Sequence, residues 1–212
     1  MRLTIAVLLI FTIIITASAQ VNVGVKGGWN YSTAKAVYTG VNQSTGYING
    51  FGLGMVAKVP FDGILHFSPS VMINNRGFII TPSTGTNKKE QYSITYLDLI
   101  PALSVDFENG NNTVSIAFGP DFGFTNFGKL KATDMNNVTT AEKMKFGYGG
   151  YGWFDLGLHS SVAYRMKKAF VELAYFNGLA NINNNEEIDG RNIRNRMLSI
   201  NIGYYFKQTV TQ

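Results

Sequence analysis

The segment from Trp153 to Tyr164 reads WFDLGLHSSVAY and sets Asp155, His159, Ser160 and Ser161 close together. Serine, histidine and a carboxylate are the residue types of a nucleophile, its general base and the group that orients the base. A second carboxylate, Glu172, follows the short basic stretch Arg165-Met166-Lys167-Lys168. If those four residues form a turn between two strands, Tyr164 pairs with Ala169 and Ser161 faces Glu172. His159 then lies diagonal to Glu172, within reach of long side chains. Ser161, His159 and Glu172 together would suit acyl transfer. Metal chemistry has less support, because His66 and His159 are the only histidines, share no ligand spacing and have no cysteine to join them. The glycine-rich FGYGGYG at 146–152 lacks the following helix and lysine of a phosphate loop. No metal or cofactor is expected.

What these side chains do depends on which way they point. The segment alternates, with Phe154, Leu156, Leu158, Val162 and Tyr164 on one face and Asp155, Gly157, His159, Ser161 and Ala163 on the other. The same period of two recurs along the chain. Val23, Val25, Trp29 and Tyr31 oppose Asn22, Gly24, Lys26 and Asn30, and Leu97, Leu99, Leu103 and Phe107 oppose Asp98, Ala102, Ser104 and Asp106. Near the end, Leu198, Ile200, Ile202 and Tyr204 oppose Ser199, Asn201, Gly203 and Tyr205. No 3.6-residue periodicity is sustained, and eight such segments are read as strands.

Their connections alternate in length. Short turns are expected near 60–64, 108–112 and 165–168, and long polar loops near 32–46, 79–91, 125–147 and 178–195. Strands of about ten residues, an apolar face rich in aromatics and a small or polar face describe a transmembrane barrel with periplasmic turns and extracellular loops. Lipid offers backbone groups no hydrogen-bonding partner, so a sheet that crosses it must close on itself. Eight strands leave an interior that side chains fill. The expected fold is therefore an all-β, eight-stranded antiparallel up-and-down barrel. Pro69, Pro101 and Pro120 each remove a ladder donor inside an expected strand, which implies bulges or nearer strand ends.

On this reading the reactive-looking residues line the lumen. Asp98, Asp106, Asp121, Asp155 and Glu172 would be balanced there by Lys26, Lys58, Arg76 and His159, because a buried charge without a partner is costly. The polar cluster Asp155, His159, Ser161, Glu172, Asp121, Lys58 and Arg76 is thus expected to be structural, with no catalytic residues.

The N-terminus supplies an address. MRLTIAVLLIFTIIITASAQ has one charge at Arg2, an apolar core and the small-x-small site Ala17-Ser18-Ala19, the pattern of a signal peptide over residues 1–19. Residues 20–212 would form the barrel domain. With no cysteine there is neither a disulfide framework nor a lipoprotein attachment site. Lys and Arg number 18 against 13 Asp and Glu. Lys35, Lys88, Lys89, Lys129, Lys131, Lys143, Lys145, Arg191 and Arg194 fall in the expected loops, where they would meet solvent, anionic lipid headgroups or phosphorylated sugars. No nucleic-acid recognition motif appears.

The segments VNVGVKGGWNYS, YLDLIPALSVDF, SIAFGPDFGF, FDLGLHSSVAY, VELAYFNGLANI and RNRMLSINIGYYF resemble the eight-stranded outer-membrane beta-barrel domain family that includes the PorT-like proteins, and more distantly the OmpA/OmpX-type barrels. The resemblance covers the whole mature chain, is specific for fold and place, and includes prolines inside the fourth and fifth strands. One departure is the tail Lys207 to Gln212 beyond Phe206, the aromatic type on which such barrels end. Some barrels of similar architecture are lipid A acyl-hydrolases with Ser, His and Glu, but their set faces lipid, whereas parity here turns Ser161, His159 and Glu172 inward.

The resemblance implies the outer membrane of a Gram-negative-type bacterium. With the reactive-looking set turned into the lumen, the expected role is non-enzymatic and exercised through the extracellular loops, as adhesion, lipid or partner-protein contact, or envelope integrity. Outer-membrane lipid, including lipopolysaccharide, and an envelope protein are the expected partners. The alternatives are a narrow pore or small-solute-binding barrel and, next, a lipid acyl-hydrolase using Ser161, His159 and Glu172.

Overall fold

The computed structural model describes residues 21–82, 87–184 and 190–206. The expected signal peptide and the tail from Lys207 lie outside the described residues. Among the described residues, the chain forms one antiparallel sheet of ten strands: β1 (Asn22–Tyr38), β2 (Val41–Asn42), β3 (Ser44–Asp62), β4 (Leu65–Thr81), β5 (Asn87–Asn109), β6 (Asn112–Asp134), β7 (Thr139–Lys143), β8 (Phe154–Met166), β9 (Ala169–Gly178) and β10 (Arg191–Tyr205). Eight of them form the ring in the order β1-β3-β4-β5-β6-β8-β9-β10, each beside its neighbour in sequence. Pairing of β10 with β1, from Gly24 with Tyr205 to Tyr38 with Arg191, closes it. β2 folds back on β1 and β7 on β6.

Alternation sets the two faces. Val25, Trp29, Leu53, Leu99, Ile116, Val162, Leu173 and Ile202 all project outward, with Phe51 and Ile202 exposed by 74% and 69%. An apolar belt of this extent is not left in water by a soluble protein. On β5 it runs from Leu97 to Phe107. At about 3.4 Å per residue and the usual barrel tilt, that span is ~25 Å tall, the height of a lipid-facing band. The lumen face carries small or polar residues, and glycine occurs where an aromatic side chain crosses it. A Cβ on Gly157 would stand 2.3 Å from the Phe176 ring, and one on Gly203 would stand 2.2 Å from the Phe170 ring.

At one end the strands join through two-residue turns, Gly63-Ile64, Gly110-Asn111 and Lys167-Lys168. The first residue of each has positive φ, at 52°, 60° and 55°. Such turns match the right-handed twist of the strands they join, and glycine adopts them without strain. The turn at Lys167 corrects an expectation. It is two residues long, so Met166 pairs with Ala169, and Ser161 lies opposite Ala174 rather than Glu172, whose partner is Ala163. The shift is an even number of residues, so every side chain keeps its face while changing its neighbour.

Two more expectations change. Three of the four stretches read as long loops, 32–46, 79–91 and 125–147, are largely strand among the described residues; in the last, residues 179–184 lie outside any strand. β5 and β6 each run to 23 residues, well beyond the apolar belt. The prolines insert no residue either. Pro69 is the partner of Pro101, and the β5–β6 ladder keeps one register from Leu99–Phe122 to Leu103–Phe118, which sets Pro120 level with Pro101. The bulges fall elsewhere, between Tyr47 and Gly52, Pro60 and Asp62, Asn87 and Lys89, and Thr95 and Leu97.

Candidate functional site

The lumen holds three separate ionic groups, one above another. Nearest the turns, Lys58 on β3 donates to both carboxylate oxygens of Asp106 at 2.7 Å and to the Ser115 hydroxyl at 2.9 Å. Next, Lys26 on β1 donates to Glu172 on β9 at 2.8 Å, and the Asn201 amide donates to the same carboxylate at 2.9 Å. Higher again, Arg76 on β4 meets three carboxylates: Asp98 at 2.5 Å, and Asp121 and Asp155 at 3.4 Å each. Its guanidinium also lies over the Phe176 ring, 3.8 Å from the centroid, and beside Tyr96. Asn74 donates to Asp98 at 2.6 Å and Asn195 to Asp155 at 2.8 Å.

The expected balance of charge thus resolves into the pairs Lys26–Glu172 and Lys58–Asp106, the latter with His66 3.9 Å from the carboxylate, and one cation shared by three acids. His159 is not among the partners. It lines the same small void as Lys26 and Glu172, but among the described residues no hydrogen bond joins Ser161, His159 and Glu172. Glu172 is committed to Lys26 and Asn201. Because of the two-residue turn, Ser161 and Glu172 are diagonal rather than opposite, and a nucleophile–base–carboxylate relay is not assembled. Two lumen voids have volumes of about 40 and 10 Å³. That is room for a few water molecules and far less than an acyl chain needs.

Beyond Arg76 the lumen changes character. Phe78 and Ile80 on β4, Tyr92 and Ile94 on β5, Ala34 and Ala36 on β1 and Ile193 on β10 close over one another, and Met144 and Ile182 fold in from the connecting segments. Phe78 stacks on Tyr92 with ring centroids 4.6 Å apart. Much of this plug was not evident in the sequence, because Ala34, Ala36, Ile80, Met144, Ile182 and Ile193 lie in stretches whose polar partners made them read as loops.

A polar lid ties the plug down. The Glu90 carboxylate accepts from Arg191 and from the Tyr92 hydroxyl, both at 2.8 Å, and from Asn87 at 3.0 Å. These groups lie outside the lipid-facing part of β5. Burial alone would raise the Glu90 pKa, but the hydrogen bonds from Asn87 and Arg191, with the Arg191 charge, outweigh it and hold the carboxyl below its ordinary value.

A closed antiparallel ring with an apolar belt outside, ionic pairs inside and short turns at one end defines an integral barrel of the bacterial outer membrane. The chain matches the family model for the outer membrane protein beta-barrel domain over residues 16–184, and it belongs to that family. The short turns are accordingly periplasmic, and the strand extensions with their connections extracellular.

Among solved structures, the chain is similar to Neisserial surface protein A at 14% identity and a TM-score of 0.45, covering 87% of this chain and 97% of that one. It is similar to Ail, the attachment invasion locus protein of Yersinia pestis, at 11% identity and 0.43, covering 88% and 99%. It is also similar to OprG of Pseudomonas aeruginosa at 11% and 0.42, covering 89% and 97%. No curated protein matches the chain significantly.

Proposed function

We propose that the protein is a closed, non-enzymatic barrel that holds its extracellular strand extensions as a rigid surface for contact with an extracellular ligand or an envelope protein. The plug carries this reading. A barrel built to pass solute would not close its outer mouth with Phe78, Ile80, Tyr92, Ile94 and Ile193, all fully buried. The plug also braces the strands that project past the lipid.

Asp134 accepts at 2.8 Å from the backbone N–H groups of Asn136 and Val138, shaping the β6–β7 tip. Met135, Val138, Val41 and Tyr148 stand exposed on these tips. Apolar groups displayed on a braced frame serve recognition at low entropic cost. The cleaved leader ending at Ala19 and a place among the PorT-like members belong to the same reading.

The purified protein in planar bilayers should show no unitary conductance; stable channels would overturn the closed lumen. In a deletion strain, a copy with Met135 and Val138 replaced by serine should fail to restore the phenotype, while His159→Ala restores it. The reverse result would return function to the lumen. Acyl release from lipid A that disappears in His159→Ala would establish the hydrolase instead.

A further inference from the structure

Where β5 and β6 leave the apolar belt, their ladder takes in one extra residue: Leu97 pairs with Phe124, but Thr95 pairs with Phe127. Thr125 turns inward, and its hydroxyl donates to the Thr95 carbonyl at 2.6 Å and accepts from the Phe127 N–H at 3.3 Å. One inserted residue reverses the parity of everything beyond it. Phe127, Lys129 and Lys131 therefore face outward, while Leu130 turns in against the plug. Without the bulge the lysines would point into the barrel.

The charged residues on the outward face so created are all cationic. Lys129 pairs with Lys143 of β7, Lys131 lies opposite Gln91, and Lys89 lies opposite Thr133. Glu90, Asp134 and Glu142 have the opposite parity. Among the described residues, no ion pair involves any of the four lysines. Like charges directly opposite on a ladder repel, so an anion placed between Lys129 and Lys143 would relieve the repulsion.

Below the lysines the wall is hollowed. Two adjoining grooves of about 410 and 490 Å³ share Thr95, Asn126 and Phe127. The lower runs over Ile73, Leu97, Phe124 and Trp153; the upper passes Asn75 and Ser93 to reach Lys129 and Lys143. Phe127, 76% exposed, stands between them.

We infer that this groove binds a phosphorylated glycolipid of the outer leaflet, its phosphate on Lys129 and Lys143 and an acyl chain against Phe124, Phe127 and Trp153. Depth supports this occupant. The lipid-facing belt of β5 ends at Leu97, and Lys129 is the partner of Ser93, four residues beyond, where headgroup phosphates lie. A second outward basic cluster, Lys35 beside Arg194 on β1 and β10, lies on another part of the wall and is not among the residues that line these grooves. It serves as the control.

The test titrates diphosphoryl lipid A against the full-length protein in neutral detergent, with bound lipid counted by native mass spectrometry. One saturable equivalent is expected. Lys129→Ala with Lys143→Ala should weaken it roughly thirtyfold, as expected for two lysines at an anionic surface. Phe127→Ser should weaken it as well, and Lys35→Ala with Arg194→Ala should leave it unchanged. Lipid A stripped of its phosphates should bind the native protein as poorly as intact lipid A binds the double-lysine variant.

Each variant must keep the difference in gel mobility between boiled and unboiled samples, which separates loss of binding from loss of fold. Equal weakening by the two basic pairs, equal binding of the stripped lipid, or absence of a saturable equivalent overturns the site. Displacement by inorganic phosphate at the lipid's own concentration would make phosphate alone the ligand and overturn the lipid assignment.

Discussion

Between Leu97 and Phe107 the barrel wall is apolar outside and mainly polar inside; from Thr95 outward the same strands are mainly polar outside and mainly apolar inside. β5 shows the inversion within one element: Leu97 and Leu99 face out and Asp98 faces in, whereas Gln91 and Ser93 face out and Tyr92 and Ile94 face in. β10 repeats it, with Leu198 and Ile200 outside and Ser199 and Asn201 inside, then Arg194 and Arg196 outside and Ile193 inside. On β1, Trp29 and Asn30 give way to Lys35 and Ala36. The solvent on the outer wall is the cause. Lipid demands an apolar exterior and leaves polar groups to satisfy one another in the lumen, while water releases the exterior and lets the hydrophobic effect fill the interior. Backbone hydrogen bonding is common to both halves, so their stability rests on different interactions.

Arg76 is the sharpest place to break the inner half. Arg76→Met leaves Asp98, Asp121 and Asp155 buried without their cation, and removing one partner of a buried ionic group costs about 3–5 kcal/mol. Urea unfolding in detergent should show the loss as a lowered midpoint for the whole barrel, because all three acids sit on different strands. An unchanged midpoint would mean that the acids do not depend on Arg76.

Ile193→Ala probes the outer half, at an expected cost of about 2–5 kcal/mol. Hydrogen exchange should speed up in the extensions of β1, β4, β5 and β10 and stay slow between Leu97 and Phe107. Uniform acceleration would show that the two halves are one cooperative unit.

The boundary itself can be located with single charges. Ile200→Lys puts a cation on the lipid face and should cost about 2–4 kcal/mol, whereas Asn192→Lys, on the same face of β10 but beyond the belt, should cost about 0–1 kcal/mol. Comparable costs would erase the proposed edge.

The smallest effect is expected from pH. The folded Glu90 carboxyl has a lower pKa than the unfolded one, so its contribution is complete above the ordinary glutamate value. That contribution is lost as pH falls through the folded value. Protease sensitivity of the extracellular extensions should therefore rise in acid below about pH 4, and Glu90→Gln should flatten that rise.

The alternation around Trp29, Leu99, Val162 and Ile200 made the lipid-facing strands legible, because a period of two with a continuous apolar face has few other uses. The extensions escaped for the same reason: once polar residues faced outward, as at Gln91 and Lys129, the pattern resembled loop composition. Inward Phe78, Tyr92 and Ile193 were the available signal, an alternation continuing in reverse phase.

By itself the sequence determined that this chain forms membrane strands and that Asp155, His159, Ser161 and Glu172 share the lumen face, because side-chain parity is a local property of the backbone. Only the tertiary structure decided which lumen groups meet. A two-residue turn at Lys167 moved Glu172 away from Ser161 without changing its face. Closure of β10 on β1 brought Lys26 to Glu172 over the seam, one strand away, and one residue inserted at Thr125–Asn126 turned Lys129 out of the barrel. Register and closure are set by contacts between strands distant in sequence, so no local pattern records them.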